Sequence, residues 1–427
     1  MPPSTKPTGW LDLLRGWLYL PSGELATIRR VSGGLLLCIL PEVWFWSRGG
    51  PGPYHVPAFW VGGHPIDLPL PLPWVDAWIC AAYVLAALAM IFDRAPQWAP
   101  ALAASILAYH AWRDVRACNS SYVQLLFFDL IALLFANGPI NPARRLIQFG
   151  LTCCYGFAVI QKLAMPEWRG GETLLAILAH ADGVRPIWVP LLRAMAPGPD
   201  LAGFLALVVI GVEAFIGVGL WWARTRKLAM IVGAGLHLGF AAIFPGTEIF
   251  APVMFTGYLA FLGPGSSDLS AIPRRRFEMT LALAFLVAMV AIPARIYVPP
   301  MRPWHLLTHM DHLPWTYSMF SQIDRIDSVE VTITDHPGMT RRVEPVGRML
   351  QASSDAEMIA LARHVLRSHP GADRAEVVVR LTVNHRRELV KSLRWVRGEV
   401  PSIEVREVAK LPEPSSLSGS IHGLPGR

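Results

Sequence analysis

Residues 201–222 read LAGFLALVVIGVEAFIGVGLWW, an apolar run in which Glu213 is the single charged residue. A helix needs roughly 20 mostly apolar residues to cross the hydrocarbon core of a bilayer, and this run is long enough. The stretch therefore predicts a membrane-spanning helix.

The composition of the whole chain agrees with a membrane protein. Of its 427 residues, 53% are apolar or aromatic and 16% are charged, whereas a soluble domain carries about 25% charged residues. The 16 tryptophans suit a chain at a lipid–water boundary. The net charge of +7 could suggest nucleic acid, but basic inner loops of a membrane protein give the same excess. The five cysteines show neither disulfide nor metal-type spacing.

Similar apolar runs recur along the first 300 residues, separated by short polar or Pro/Gly-rich joints. The candidate spans are Thr27–Trp46, Trp74–Phe92, Trp98–Trp112, Tyr122–Ala136, Leu146–Met165, Leu201–Trp222, Leu228–Phe244, Ile249–Leu262 and Met279–Ala294. The third and eighth are short enough to be partial spans. The sequence thus predicts a mainly α polytopic membrane helix bundle with eight or nine spans.

Basic residues gather in alternate joints of this bundle. They include Arg29, Arg30, Arg94, Arg144, Arg145, Arg224, Arg226, Lys227 and Arg274–Arg276. The joints between them are poorer in Lys and Arg, and positive joints stay in the cytoplasm. The pattern predicts a protein of the cell inner membrane with a cytoplasmic N-terminus. Nine spans place the C-terminal segment on the opposite side, and eight spans reverse that.

The composition changes after Pro299. Val329, Val331 and Ile333 alternate with polar neighbours, and so does the run Val377–Val383, which is typical of half-buried strands. Ser353 and Ser354 precede an apolar helical face formed by Met358, Ile359, Ala362, Val365 and Leu366. We predict a transmembrane domain over residues 1–298, a small extramembrane α+β domain over 299–411 and a flexible tail over 412–427.

Three ionisable residues, Lys162, Glu213 and His237, fall inside predicted spans, where each is energetically expensive. Lys162 is either an anchor whose ammonium reaches the headgroups or a neutral general base. Glu213 can simply pair with a basic group, and a lone histidine on an apolar helix is more often a satisfied core residue than a catalyst. To act as a general base, Lys162 must be a neutral amine. An apolar environment favours the neutral amine and a nearby carboxylate favours the ammonium, so the side chain must lie closer to an apolar wall than to Glu213.

The neighbourhood of Lys162 adds a resemblance. Residues 155–163 read YGFAVIQKL, and residues 167–172 read EWRGGE. The string resembles the Tyr…Lys-Leu…Trp…Gly element of the vitamin K-dependent γ-carboxylase family and its bacterial HTTM-domain relatives. Further similar elements lie at Gly235–His237, Trp315–Ser321 and Val377–Arg386. The resemblance implies that Lys162 is the base that activates a reduced quinone.

The resemblance also implies roles for other residues. His237 would be catalytic, and Asn119, Tyr122, Glu213 and Trp168 would bind the cofactor or balance its charge. One position departs from the family, whose Asn-His-Ser-Tyr tetrad reads Asn119-Ser120-Ser121-Tyr122 here. Serine lacks an imidazole that titrates near neutral pH, so full carboxylation is in question. The same four residues also suit a helix start capped by Asn119 or Ser120.

Two functional hypotheses follow. The resemblance implies a membrane enzyme of the lyase type. It would use reduced vitamin K or another membrane hydroquinone, with O2, to abstract a proton from a peptide or small acid. The alternative is a non-enzymatic HTTM-type module that binds or exports a peptide. Membrane lipid is the expected surrounding in both cases, and no metal site or nucleic-acid partner is expected.

The orientation is testable at Ser416. A Ser416→Cys variant is expected to react with a membrane-impermeant maleimide in intact cells, because nine spans place the tail outside the cytoplasm. Labelling that appears only after lysis would reverse the orientation and favour eight spans.

Overall fold

The structure is a computed structural model that describes most of the chain. The described residues are 9–47, 60–61, 64–65, 73–94, 97–114, 117, 121–171, 173–174, 184–194, 199–245, 247–263, 276–294, 324–335, 338–343, 355–383, 387–397, 399 and 401–410.

The chain separates into two compact units. The first comprises Met1–Pro51 and His55–Ser321, and the second comprises Gly52–Tyr54 and Gln322–Arg427. The boundary predicted at residue 298, the element Trp315–Ser321 and the predicted tail over 412–427 all lie outside the described residues.

The first unit is mainly helical. Its helices are α1 (Trp10–Leu18), α2 (Leu25–Cys38), α3 (Leu40–Ser47), α4 (Pro73–Ile91), α5 (Trp98–Arg113), α6 (Ser121–Leu133), α7 (Ala143–Ala164), α8 (Pro166–Arg169), α9 (Val189–Ala194), α10 (Pro199–Gly219), α11 (Arg226–Ile243), α12 (Phe250–Leu259) and α13 (Arg276–Ala294), with a 3₁₀ turn at Pro186–Trp188. Short strand pairs join β1 (Leu20–Pro21) to β4 (Ile140–Asn141) and β2 (Trp60–Val61) to β3 (His64–Pro65).

Four of the described helices are long and apolar enough to cross a membrane. They are α4, α7, α10 and α11, over Trp74–Ile91, Ala143–Ala164, Leu201–Gly219 and Arg226–Ile243. Two shorter apolar helices, α6 and α12, have described apolar segments of 10–17 residues at Tyr122–Leu133 and Phe250–Leu259. The structure thus supports a membrane protein with four candidate spans. Helix length and composition do not support the eight or nine spans expected from hydropathy.

The predicted span Thr27–Trp46 is not one helix, and proline explains the break. Helix α2 ends at Cys38 and α3 begins at Leu40, immediately before Pro41. Proline has no backbone N–H, and its ring clashes with the carbonyl one turn earlier, so a continuous helix is interrupted. Hydropathy averages over this position and therefore misses the break.

Helix α7 lies at the centre of the first unit. It packs against α6, α10, α12 and α13. Over the most apolar 18 residues of α7, 67% are buried, compared with 17–33% over the corresponding stretches of the other three candidate spans. Polar side chains on α7 are therefore enclosed by protein, whereas the outer helices turn apolar side chains outward.

The second unit is an antiparallel sheet with a helix on one face. Strands β5 (Asp324–Asp335), β6 (Thr340–Val343), β7 (Ala372–Val383), β8 (Arg387–Val396) and β9 (Ser402–Lys410) are ordered β6-β5-β7-β8-β9. Helix α14 (Asp355–Ser368) packs mainly on β7. The alternating residues predicted to face the core are buried, among them Val331, Ile333 and Val377, as are Met358 and Val365 of the helix. The alternation of the strands and the apolar face of the helix are confirmed.

Two adjacent glycines in α2 provide a matched test of the packing between α2 and α4. A Cβ at Gly33 would lie 2.6 Å from the Ala87 carbonyl oxygen, whereas a Cβ at Gly34 would meet nothing within 4 Å. Gly33→Ala is expected to destabilise the protein by about 1–3 kcal/mol, because backbone atoms cannot move aside. Gly34→Ala is expected to be neutral or stabilising by up to about 1 kcal/mol. Thermal unfolding in one detergent compares the two, and equal midpoints would contradict this close packing.

Candidate functional site

A buried ion pair joins the last turn of α7 to α10. The Lys162 Nζ donates to both carboxylate oxygens of Glu213, at 2.7 Å to Oε1 and 2.6 Å to Oε2. Each residue is only 2% exposed. Two of the three ionisable residues singled out in the sequence are therefore direct partners.

The sequence after Lys162 folds a tryptophan back onto the pair. Helix α7 ends at Ala164, Met165 is extended, and Pro166 starts the four-residue helix α8. Proline suits a first helical position because the N–H it lacks would have no partner there. This turn places the Trp168 ring 5.3 Å from the Lys162 Nζ, and Trp168 is 3% exposed. The aromatic face adds a cation–π contact to the ammonium.

A glycine fixes the distance between this turn and α10. Gly171 has a φ of +78°, and a Cβ there would lie 2.3 Å from the Gly203 backbone nitrogen. Position 171 thus requires glycine for both its conformation and its contact. The turn that carries Trp168 and the helix that carries Glu213 are locked together at this point.

A second polar group surrounds His237. The Tyr155 hydroxyl lies 2.6 Å from the His237 Nε2 and also makes a short hydrogen bond with the Tyr258 hydroxyl. All three residues are at most 3% exposed, and the His237 Nδ1 is buried without a hydrogen-bond partner in the structure. Tyr155 and Lys162 are seven residues apart on α7, or about two turns, so they lie on the same face of that helix.

Tyr122 does not join these residues. Its hydroxyl donates to the Glu42 Oε2 at 2.9 Å, and Glu42 lines a small pocket together with Trp46, His110 and Val123. Asn119 lies outside the described residues. The structure therefore places Lys162, Glu213 and Trp168 in direct contact and His237 in a network on the same face of α7. Tyr122 belongs to a different cluster.

Several buried polar residues were missed in the sequence. Tyr155 stood in the motif without a role, and nothing in the sequence indicated that Tyr258 would meet it. Asp129 and His110 are buried at 1% and 3% exposure inside predicted spans. The criterion that selected His237, an ionisable residue in an apolar run, would also have selected these two. Among the described residues, no group of three or more His, Cys, Asp or Glu is placed to hold a metal ion.

The ion pair reverses one expectation. The base role was expected to require Lys162 to lie closer to an apolar wall than to Glu213, and instead the ammonium contacts both carboxylate oxygens. Opposite charges in a medium of low dielectric attract strongly, so two such residues on facing helices pair. The structure therefore pairs the Lys162 ammonium with a carboxylate and not with an apolar wall.

Comparisons with known proteins provide no assignment for this arrangement. No family model matches the chain, and neither the curated proteins nor the solved structures contain a match.

The energetics of the pair can be measured with a double-mutant cycle. Lys162→Met or Glu213→Leu alone is expected to cost about 3–5 kcal/mol, because each leaves an uncompensated buried charge. The double variant is expected to be much closer to wild type, since it removes both charges and fills the space with apolar atoms. Thermal unfolding in detergent reads out the cycle. Additive losses in the double variant would show that the two charges do not depend on each other.

Proposed function

We propose that this protein is a membrane enzyme that removes a proton from a lipid-soluble hydroquinone. The observation that supports this is the position of the Lys162–Glu213 pair on the same face of α7 as the Tyr155–His237–Tyr258 network. Ionisable groups inside a bilayer are costly and are mostly retained for ion, proton or ligand chemistry. Five proton-exchanging side chains enclosed around one central helix are consistent with a site that handles protons.

The pair supplies a base without a free charge in the membrane. When the Lys162 proton moves to Glu213, the ammonium and carboxylate become a neutral amine and a neutral acid, and the net charge stays at zero. The amine can then accept a proton from a hydroxyl group that approaches it. The pair then carries one extra proton, which came from the hydroquinone, and Lys162 is again an ammonium beside a protonated Glu213. The ion pair re-forms when Glu213 gives up its proton to the reduced product of O2. The short Nζ–oxygen distances allow this transfer without movement of either helix.

The site has one feature that fits a quinone ring. The His237 Nδ1 is a buried polar atom without a partner in the structure, and such atoms are usually satisfied by a ligand or water. His237 would hold a ring oxygen, Lys162 would take the proton, and Trp168 would pack beside the ring. Reduced vitamin K or a related membrane hydroquinone would supply reducing equivalents for O2. The surrounding protein would exclude water from this chemistry.

The acceptor of that chemistry is proposed from the resemblance at 155–172. It would be a peptide or small acid that loses a proton next to its carboxylate, as in the γ-carboxylases. The serine at position 120, where that family has histidine, means that carboxylation itself needs a direct assay.

The same proposal includes the full membrane topology. Eight or nine spans with a cytoplasmic N-terminus require the shorter helices to cross together with their neighbours. Helices α2 and α3 follow each other with a single residue between them, and α5 has 16 residues. The alternation of basic joints supports this arrangement.

One observation favours the alternative, a non-enzymatic module of the HTTM type that binds or exports a peptide. Lys162 and Glu213 satisfy each other, and the pocket formed by Glu42, Trp46 and His110 does not include either of them. In such a module the ion pair would serve only to fix α7 against α10.

The two functions are separated by Lys162→Arg. Arginine keeps a positive charge opposite Glu213, but its guanidinium does not release a proton. The enzyme is expected to lose about 10²–10⁴-fold in hydroquinone turnover, the usual contribution of a general base. Oxygen uptake by proteoliposomes supplied with vitamin K hydroquinone measures this loss. Lys227→Arg is the matched control, since Lys227 is exposed on α11.

Rescue and binding complete the test. Lys162→Ala is expected to abolish turnover, to retain quinone binding and to regain part of its activity when a small amine is added. Unchanged turnover in Lys162→Arg would contradict the base role and support the peptide-binding module.

A further inference from the structure

Helix α1 turns a row of large apolar side chains outward. Trp10, Leu13 and Trp17 are spaced three and four residues apart and are 70%, 61% and 37% exposed. Asp12 and Arg15 lie on the opposite side and form an ion pair at 3.4 Å. The helix has nine residues, about 14 Å, and is too short to cross a hydrocarbon core of roughly 30 Å.

The orientation of α1 is fixed by Arg145 of α7. The Arg145 Nε donates to the Trp17 carbonyl oxygen at 2.7 Å, and its guanidinium carbon lies 5.0 Å from the Trp17 ring and 5.2 Å from the Trp221 ring. The two tryptophan rings stack at 6.4 Å. Leu18 at the end of α1 is fully buried. The outward row is therefore held in place by the protein and does not result from a loose terminus.

Exposed cations follow Trp221, the residue whose ring stacks on Trp17. Trp222, next to the stacked Trp221, is 62% exposed. Arg224 and Lys227 follow it, are exposed, and form no ion pair within the described part of the chain. Tryptophan and unpaired basic residues together are typical of the zone where lipid headgroups meet acyl chains.

We infer that α1 is an in-plane anchor that lies in the lipid–water boundary and binds anionic headgroups. Trp10, Leu13 and Trp17 would enter the outer part of the acyl layer, and Arg224 and Lys227 would contact lipid phosphates. The charge of the exposed cations favours a lipid surface over an apolar protein partner, because anionic lipid supplies both an apolar layer and a negative one. Fixed to α7 by Arg145, the anchor sets the depth of the helix that carries Lys162.

Site-directed spin labelling tests the depth of α1 in the full-length protein. The background carries Cys38→Ser and Cys118→Ser, and the label is placed by Leu13→Cys or, as the polar-face control, by Asp12→Cys. Nanodiscs of phosphatidylcholine, with or without phosphatidylglycerol, supply the lipid. The label at position 13 is expected to collide with O2 several-fold more often than with a nickel chelate, and the label at position 12 is expected to show the reverse.

A second variant tests the choice of headgroup. Phosphatidylglycerol is expected to move the label at position 13 deeper into the bilayer. The double variant Arg224→Glu with Lys227→Glu is expected to abolish this shift and to leave the depth of the label in phosphatidylcholine unchanged. Accessibility of position 13 to the nickel chelate in both nanodiscs would overturn the inference. Protection from both O2 and nickel would show that protein covers the helix, and would overturn it as well. Equal depth in both lipids would refute the anionic preference.

Discussion

The buried contact between Lys162 and Glu213 is the interaction around which the first unit is organised. Removing one charge from such a pair costs about 3–5 kcal/mol, which is a large share of the stability of a domain. The pair therefore fixes the register of α7 against α10, and Gly171 fixes the distance between the adjoining turn and the same helix. Any chemistry at Lys162 has to start from this geometry, in which the ammonium contacts both carboxylate oxygens.

At the other end of α7, buried polar side chains are also satisfied by a partner on another element, here a backbone carbonyl group. The Arg144 Nε donates to the Ala260 carbonyl oxygen at 2.6 Å, and the Gln148 Nε2 donates to the same oxygen at 2.7 Å. Carbonyl groups at the end of a helix have no partner within it, so arginines satisfy them and oppose the negative end of the helix dipole. Arg144, one of the basic residues in the predicted inward loops, thus also joins α7 to the end of α12.

The polar residues of the bundle form separate clusters with different prospects. The Lys162 pair and the His237 network combine buried ionisable side chains with a histidine nitrogen that has no partner in the structure, and the proposed enzyme rests on them. The Glu42 cluster contains a pocket and the Tyr122 hydroxyl. A quinone enzyme would use the Lys162 pair and the His237 network for chemistry. A peptide-binding module would need the ion pair only to hold α7 against α10. The response to Lys162→Arg depends on which of the two is correct.

Hydropathy and periodicity are local properties, so the sequence predicted the apolar, helical character of the first unit and three of its buried ionisable residues. It also determined the alternating strands of the second unit and the helix that begins at Asp355. It missed the break between α2 and α3 and the buried Asp129 and His110. Tertiary structure alone decided which partner each polar residue took. Glu213 met Lys162, Tyr122 met Glu42, and Tyr155 met Tyr258, more than a hundred residues away along the chain. Such pairings depend on the rotation and depth of packed helices, which arise from side-chain packing across the whole bundle and leave no periodic signal in any one segment.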